Sequence, residues 1–185
     1  YKTTGNEEIF IGASNGKLVR FEESQSRPMG RTATGVKGIN LEGDEEVVGA
    51  GTSKDGEFVL SVGEKGIGKL TNYQEYRLTN RGAKGVTTLN ATAKAGKLVA
   101  MRAVNGDEDL MMVTNGGTVI RIPLEQVKIA HRVTQGVKVI RLEDDKQRVS
   151  SITVVPHDEE AETAEIPADE EPADEAPAEA AADNE

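Results

Sequence analysis

Short apolar runs alternate with polar, glycine-bearing turns through the first 155 residues, and the pattern predicts strands joined by tight turns. Ile9-Phe10-Ile11-Gly12-Ala13, the turn Ser14-Asn15-Gly16 and Lys17-Leu18-Val19-Arg20-Phe21 read as a β-hairpin closed by an Asn-Gly turn. Phe58 to Val62 followed by Glu64-Lys65-Gly66 repeats the plan, as do Leu110 to Thr114, Asn115-Gly116-Gly117 and Thr118 to Ile122. Each hairpin leads into a polar link with room for one helical turn, such as Leu124 to Val127, and then into an arginine-bearing turn. A third strand follows at Val36 to Leu41, Val86 to Leu89 and Val137 to Leu142. Ile39 and Leu41 share one face with Asn40 opposite, and Ile140 and Leu142 do the same around Arg141, the period of a half-buried strand. An acidic loop, Glu42 to Glu46 or Glu143 to Asp145, precedes a fourth strand at Val47 to Ala50, Leu98 to Val104 and Val149 to Val155.

Two sets of glycines hold one register. Gly35, Gly85 and Gly136 stand 50 and 51 residues apart, and Gly16, Gly66 and Gly117 have the same spacing. A unit of about fifty residues therefore occurs three times, over residues 1–53, 54–105 and 106–155. Four strands per unit is the content of one propeller blade, so the expected fold is all-β, a propeller-like disc of four-stranded blades with about three blades present. Blade faces are covered only by neighbouring blades. Further blades are therefore expected in the intact protein, with Tyr1 lying inside a larger ring.

Charge divides the chain in two. The 185 residues carry a formal net charge of −10, but 13 of the 32 acids and none of the 22 bases lie between His157 and Glu185. That leaves 19 acids against 22 bases before Pro156, a balance of +3 on the body and −13 on the tail. The acidic total conceals a mildly basic repeat domain, a charge compatible with a polyanionic partner. Residues 156–185 are rich in Ala, Glu, Asp and Pro, cannot bury enough apolar surface to offset ordering entropy, and are expected to be a disordered acidic tail. With three Tyr, three Phe and no Trp, the core must be aliphatic, and without Cys there is no disulfide.

Little in the sequence points to catalysis. The histidines are His131, beside a turn, and His157, at the tail junction, which leaves few nucleophile–base arrangements. The acidic runs Asp107-Glu108-Asp109 and Glu143-Asp144-Asp145 lack metal-loop spacing and read as solvated loops, and Tyr73 and Tyr76 read as packing residues in a polar link. No catalytic or metal-ligating residue is assigned. Basic residues at repeating positions carry more information. Arg31, Arg81 and Arg132 are equivalent, as are Lys37 and Lys138, while Lys84 adds a charge opposite Thr34 and Gln135. Arg20 and Arg121 match across the hairpins, where the middle copy has Leu70 with Lys69 beside it. Arranged around an axis, these residues predict a curved positive band able to meet successive phosphates of bent duplex DNA without reading bases. Aromatic platforms for stacking single strands are too few.

The runs Met29 to Ile39, Glu75-Tyr76-Arg77 with Asn80 to Gly85, and Arg132 to Lys138 closely resemble the C-terminal domain of bacterial DNA gyrase A subunits. The resemblance implies the last three or so blades of a six-bladed β-pinwheel around whose rim DNA wraps with positive handedness. It further implies a role within an ATP-driven type IIA topoisomerase that introduces negative supercoils. The implied contacts are Arg20, Arg31, Lys37, Lys69, Arg77, Arg81, Lys84, Arg121, Arg132 and Lys138. The implied partners are double-stranded DNA, the rest of the gyrase A protein and the gyrase B protein in an A2B2 assembly, in a cytoplasmic, nucleoid-associated setting without membrane. Mg2+ and ATP would belong to the holoenzyme, with no cofactor in this segment. Thr79 to Gly85 is a degenerate cousin of the family's Gln-Arg-Arg-Gly-Gly-Lys-Gly box. The alternative readings are a propeller serving as a protein-docking module and the C-terminal domain of the topoisomerase IV A protein.

Overall fold

The computed structural model describes residues 1–157, and the expected disordered tail lies outside the described residues from position 158 onward. The regular structure of the described residues consists of short antiparallel strands and three single 3-10 turns. The strands are β1 (Glu8–Ala13), β2 (Lys17–Glu22), β3 (Val47–Thr52), β4 (Phe58–Gly63), β5 (Ile67–Asn72), β6 (Val86–Thr87), β7 (Leu98–Val104), β8 (Glu108–Thr114), β9 (Val119–Pro123), β10 (Val137–Lys138) and β11 (Val149–Pro156). The 3-10 turns, Glu23–Gln25, Tyr73–Glu75 and Leu124–Gln126, fill the polar links after each hairpin.

Three hairpins, β1–β2, β4–β5 and β8–β9, form the centres of three sheets ordered β3-β1-β2-β6, β10-β5-β4-β7 and β11-β8-β9. The first two therefore take their outer strand from the repeat that follows. Val86 pairs with Leu18 and Thr87 with Lys17, while Val137 pairs with Gly68 and Lys138 with Ile67. This corrects the expectation that the four strands of a repeat make up its own blade, although the second and third repeats do hold four strands each: period-2 alternation reports which face is buried but not which strand is the partner. It also shortens the third strands to two residues each, and Val36 to Leu41 forms none. That segment instead packs Ile39 against Ala13, Val19 and Phe21. Its backbone bonds to the following turn, where Asn40 N donates to the carbonyl of Ala83 (2.9 Å) and Gly82 N to that of Gly38 (2.7 Å).

Glycines lock the exchange at the expected positions. Gly85 and Gly136 have φ of +80° and +83°, and a Cβ there would come within 2.7 Å of Leu18 O and 2.6 Å of Gly68 O in the receiving strands. Their equivalent Gly35 has φ +84° but meets nothing within 4 Å, because no receiving strand lies beside it among the described residues.

At the opposite edges of the sheets, β3 packs on β7 and β7 on β11. Gly49 lets those backbones close, since a Cβ there would stand 2.2 Å from Met101 O. The hub strands thus lie at one edge of every sheet, and in the first two sheets the exchanged strands lie at the other. Between them run aliphatic clusters, one holding Leu60, Val62, Leu110, Met112, Ile122 and Leu124, another Phe10, Leu18, Val59, Leu89 and Leu98. Tyr76, fully buried in the latter, shares a short chain of hydroxyls with Thr88 (2.6 Å) and, through it, Ser61 (2.9 Å). Burial pushes its phenol up to about 12. Tyr76 is thus a packing residue.

Candidate nucleic-acid interface

The Arg81 and Arg132 turns lie at the outer edges, opposite the hub, because each leads directly into an exchanged strand, whereas the Arg31 turn leads into a segment that forms no strand. Successive turns are seated by the same bonds. Arg81 N donates to Gln25 Oε1 (2.7 Å) and Arg132 N to Glu75 Oε2 (3.0 Å), the two acceptors occupying equivalent places in the preceding 3-10 turns. Arg81 Nη1 donates to the carbonyl of Lys37 (2.7 Å), and Arg132 Nη1 to that of Thr87 (3.4 Å). Both guanidinium groups are half-buried, braced on neutral carbonyls rather than neutralised by carboxylates. Arg31, whose turn has no preceding repeat beneath it among the described residues, is exposed.

Lys37, Arg77 and Lys138 are also exposed. Lys84 is exposed and paired with Glu42 at 2.5 Å, which raises the lysine and lowers the carboxyl.

Arg20, Lys69 and Arg121, expected on the same positive band, are instead turned into the structure. Arg20 Nη2 sits 2.6 Å from Glu8 Oε2, its Nη1 donates to the carbonyls of Tyr73 (3.2 Å) and Tyr76 (2.7 Å), and its guanidinium lies 5.0 Å from the Tyr73 ring centre. Arg121 repeats the pairing with Asp109 at 2.7 Å. In the middle repeat the same two places hold Phe58 and Leu70, both in its apolar cluster, so an ion pair has been exchanged as a unit for an apolar pair. Lys69 is fully buried. Its sequence signal, a base one residue from an arginine register, is a coincidence of position, since alternation sends adjacent strand residues to opposite faces.

Asp109 also accepts from His157, at 2.6 Å, while Arg121 Nη2 donates to the carbonyl of Pro156, fixing the root of the acidic tail. Burial pushes the Asp109 carboxyl up, but the hydrogen bonds from His157 and Arg121 outweigh it and hold it below the ordinary value. His131 is exposed, with Nδ1 3.1 Å from Glu75 Oε1.

The register identifies further bases that the arginine–glycine motif did not. Arg27 and Lys128 are the counterparts of Arg77, and all three are exposed. Carrying the same 50- and 51-residue offsets four positions before the motif arginines would have found them. With these included, the stretches 27–38, 77–88 and 128–139 hold nine Lys and Arg and no Asp or Glu. Every acid of the body lies outside the three turns.

Exchanged antiparallel blades around a strand hub, with acid-free basic turns on the outer edge, define a propeller-type β-repeat protein. The model of the DNA gyrase C-terminal domain, beta-propeller family, matches residues 7–54, 57–105 and 108–156. The chain belongs to that family. It is 54% identical over 153 residues to the DNA gyrase A protein of Ureaplasma parvum serovar 3 and 48% identical over 165 residues to that of Staphylococcus aureus. Those alignments cover 83% and 88% of this chain but 18% of either relative, so the chain spans about a fifth of their length. Among solved structures it resembles a DNA gyrase A C-terminal domain (TM-score 0.74, 25% identity, covering 83% of this chain and 52% of that one). It also resembles the C-terminal domain of DNA topoisomerase IV (TM-score 0.77, 23% identity, covering 84% and 49%), a likeness of fold alone.

Proposed function

We propose that this chain binds and bends duplex DNA along its outer edge as the C-terminal part of a gyrase A protein. The observation that carries this reading is the set of nine bases, free of acids, on equivalent turns of successive blades. Arg27, Arg31, Lys37, Arg77, Arg81, Lys84, Lys128, Arg132 and Lys138 are the proposed contacts. They meet phosphates rather than base edges, because a turn that repeats with the protein's own period can track a backbone but not a sequence. Curving 20–30 bp by 40–90° costs about 1–6 kcal/mol, which several dispersed phosphate contacts offset. Lys84 would exchange Glu42 for a phosphate, a substitution of one exposed ion pair by another.

In the whole protein this bending would present a second DNA segment to a cleavage gate formed elsewhere in gyrase A. The gyrase B protein would supply ATP hydrolysis and Mg2+ would serve the cleavage chemistry, with no residue of this chain assigned to either. The setting would be cytoplasmic, at the nucleoid, and no helix among the described residues is long and apolar enough to cross a membrane. The relatives at about half identity are gyrase A proteins, which favours gyrase over topoisomerase IV.

Ligating nicked plasmid in the presence of the chain tests the proposal. Chiral wrapping of the expected hand leaves a positive linking-number shift after deproteinisation. Failure to retain DNA even at low salt would favour a protein-docking role.

A further inference from the structure

We propose that Lys69 is a positioning residue for the third basic turn, holding Arg132 in its DNA-facing geometry through the backbone carbonyls that surround it. The inference rests on the reading of that turn as a phosphate contact. Lys69 lies on β5, and its side chain is fully buried. Its Nζ donates to the carbonyls of His131 (2.7 Å), Arg132 (2.8 Å) and Thr134 (2.7 Å), and lies 3.2 Å from Thr134 Oγ1. Three carbonyls of a four-residue segment thus converge on one ammonium, which has three hydrogens to give. The turn is closed around it, with Thr134 N and Oγ1 both donating to the carbonyl of His131.

Only the middle repeat has this device. The equivalent positions are Val19, fully buried in an apolar cluster, and Ile120, half-buried. A buried lysine without a carboxylate is costly, and an aliphatic side chain would fill the slot at less expense. What it holds, the segment carrying Arg132, accounts for a lysine standing where the sister strands have Val and Ile.

The ionisable groups around it are Glu75, from the 3-10 turn after β5, and Arg132 and His131 from the held turn itself. Burial lowers the amine from 10.5 to about 8, Arg132 adding to the shift and Glu75 opposing it. The charged form satisfies all three carbonyls. The neutral amine has two hydrogens and turns a lone pair on the third, so the hold is complete at neutral pH and relaxes as pH rises through about 8.

This separates positioning from simple stabilisation. Where the native pKa lies below the unfolded one, the unfolded chain binds more protons between them, so this group makes stability rise with pH from about 8 to 10.5. Over the same interval the hold on the turn weakens. Lys69 therefore drives fold stability up and DNA affinity down as pH increases, whereas a purely structural role would move both together.

The test uses the full chain, a short labelled duplex and a salt titration. Lys69→Met and Arg132→Ala are each expected to lower the slope of log affinity against log salt by about 1. The double variant is expected to lose nothing beyond Arg132→Ala. The wild type loses affinity from about pH 7 to about pH 9 while its denaturant midpoint holds or rises, and Lys69→Met lacks that loss. This wild-type series tests the inference without any substitution. A Lys69→Met slope equal to wild type while Arg132→Ala lowers it, or additive losses in the double variant, overturns the inference alone. A wild-type chain that retains no duplex at low salt overturns the reading of the rim and the inference with it.

Discussion

At the scale of single residues, charge type says little about role until burial and partners are known. Arg20 and Arg77 are both arginines on repeat positions, yet one is locked to Glu8 and two carbonyls while the other stands in solvent. Arg20→Ala strands the Glu8 carboxylate and frees the Tyr73–Tyr76 carbonyls, and is expected to cost about 2–3 kcal/mol in urea unfolding. Arg77→Ala is expected to leave stability within about 0.5 kcal/mol. It should lower the salt slope of DNA binding by about 1. Sequence could not separate the two, because the acid that captures Arg20 lies twelve positions away across a hairpin, Glu8, and its counterpart Asp109 reads as part of a solvated loop. Lys69 was legible as a base but not as a buried one. Arg27 and Lys128 were legible in principle, since they obey the same offsets as the motif arginines, but they lie outside the four-residue arginine–glycine spacing and one of the two is a lysine.

At the scale of elements, the hairpins were legible and their outer partners were not. Asn15-Gly16 and its counterparts announce a turn because Gly16, Gly66 and Gly117 all take φ near +80°, a local requirement that leaves a local trace. The exchange of β6 and β10 leaves no such trace, for a two-residue strand obeys the same alternation whichever sheet receives it. Its signature is the pair of glycines that face a foreign backbone. Gly85→Ala and Gly136→Ala meet both an unfavourable φ and a carbonyl closer than 3 Å, whereas Gly35→Ala meets only the φ. The left-handed penalty alone is about 1–2 kcal/mol, so Gly35→Ala should fall near that figure and the other two clearly above it in thermal melts. Equal losses at all three positions would contradict the assignment of β6 and β10 to the preceding sheets.

At the scale of the whole molecule, two opposed charge distributions share one chain. The body gathers nine of its 22 bases, free of acids, on its outer turns, and the 13 acids beyond Pro156 begin at a point fixed by Arg121, Asp109 and His157. Tethered acids compete with phosphate at an effective concentration set by the linker, a competition that salt screens. Removing residues 158–185 is expected to tighten DNA binding most at low salt, with the difference shrinking as salt rises. Superimposable binding curves for the two chains would exclude competition by the tail.

Exchange of outer strands also bears on how such arrays change length over generations. Every junction between consecutive fifty-residue units uses the same chemistry, a two-residue strand and a left-handed glycine laid on the neighbour. A recombination event that duplicates or deletes one complete unit rejoins the chain with each sheet still properly completed. One that breaks within a unit leaves two sheets unfinished at once, so selection would confine crossovers to multiples of the period.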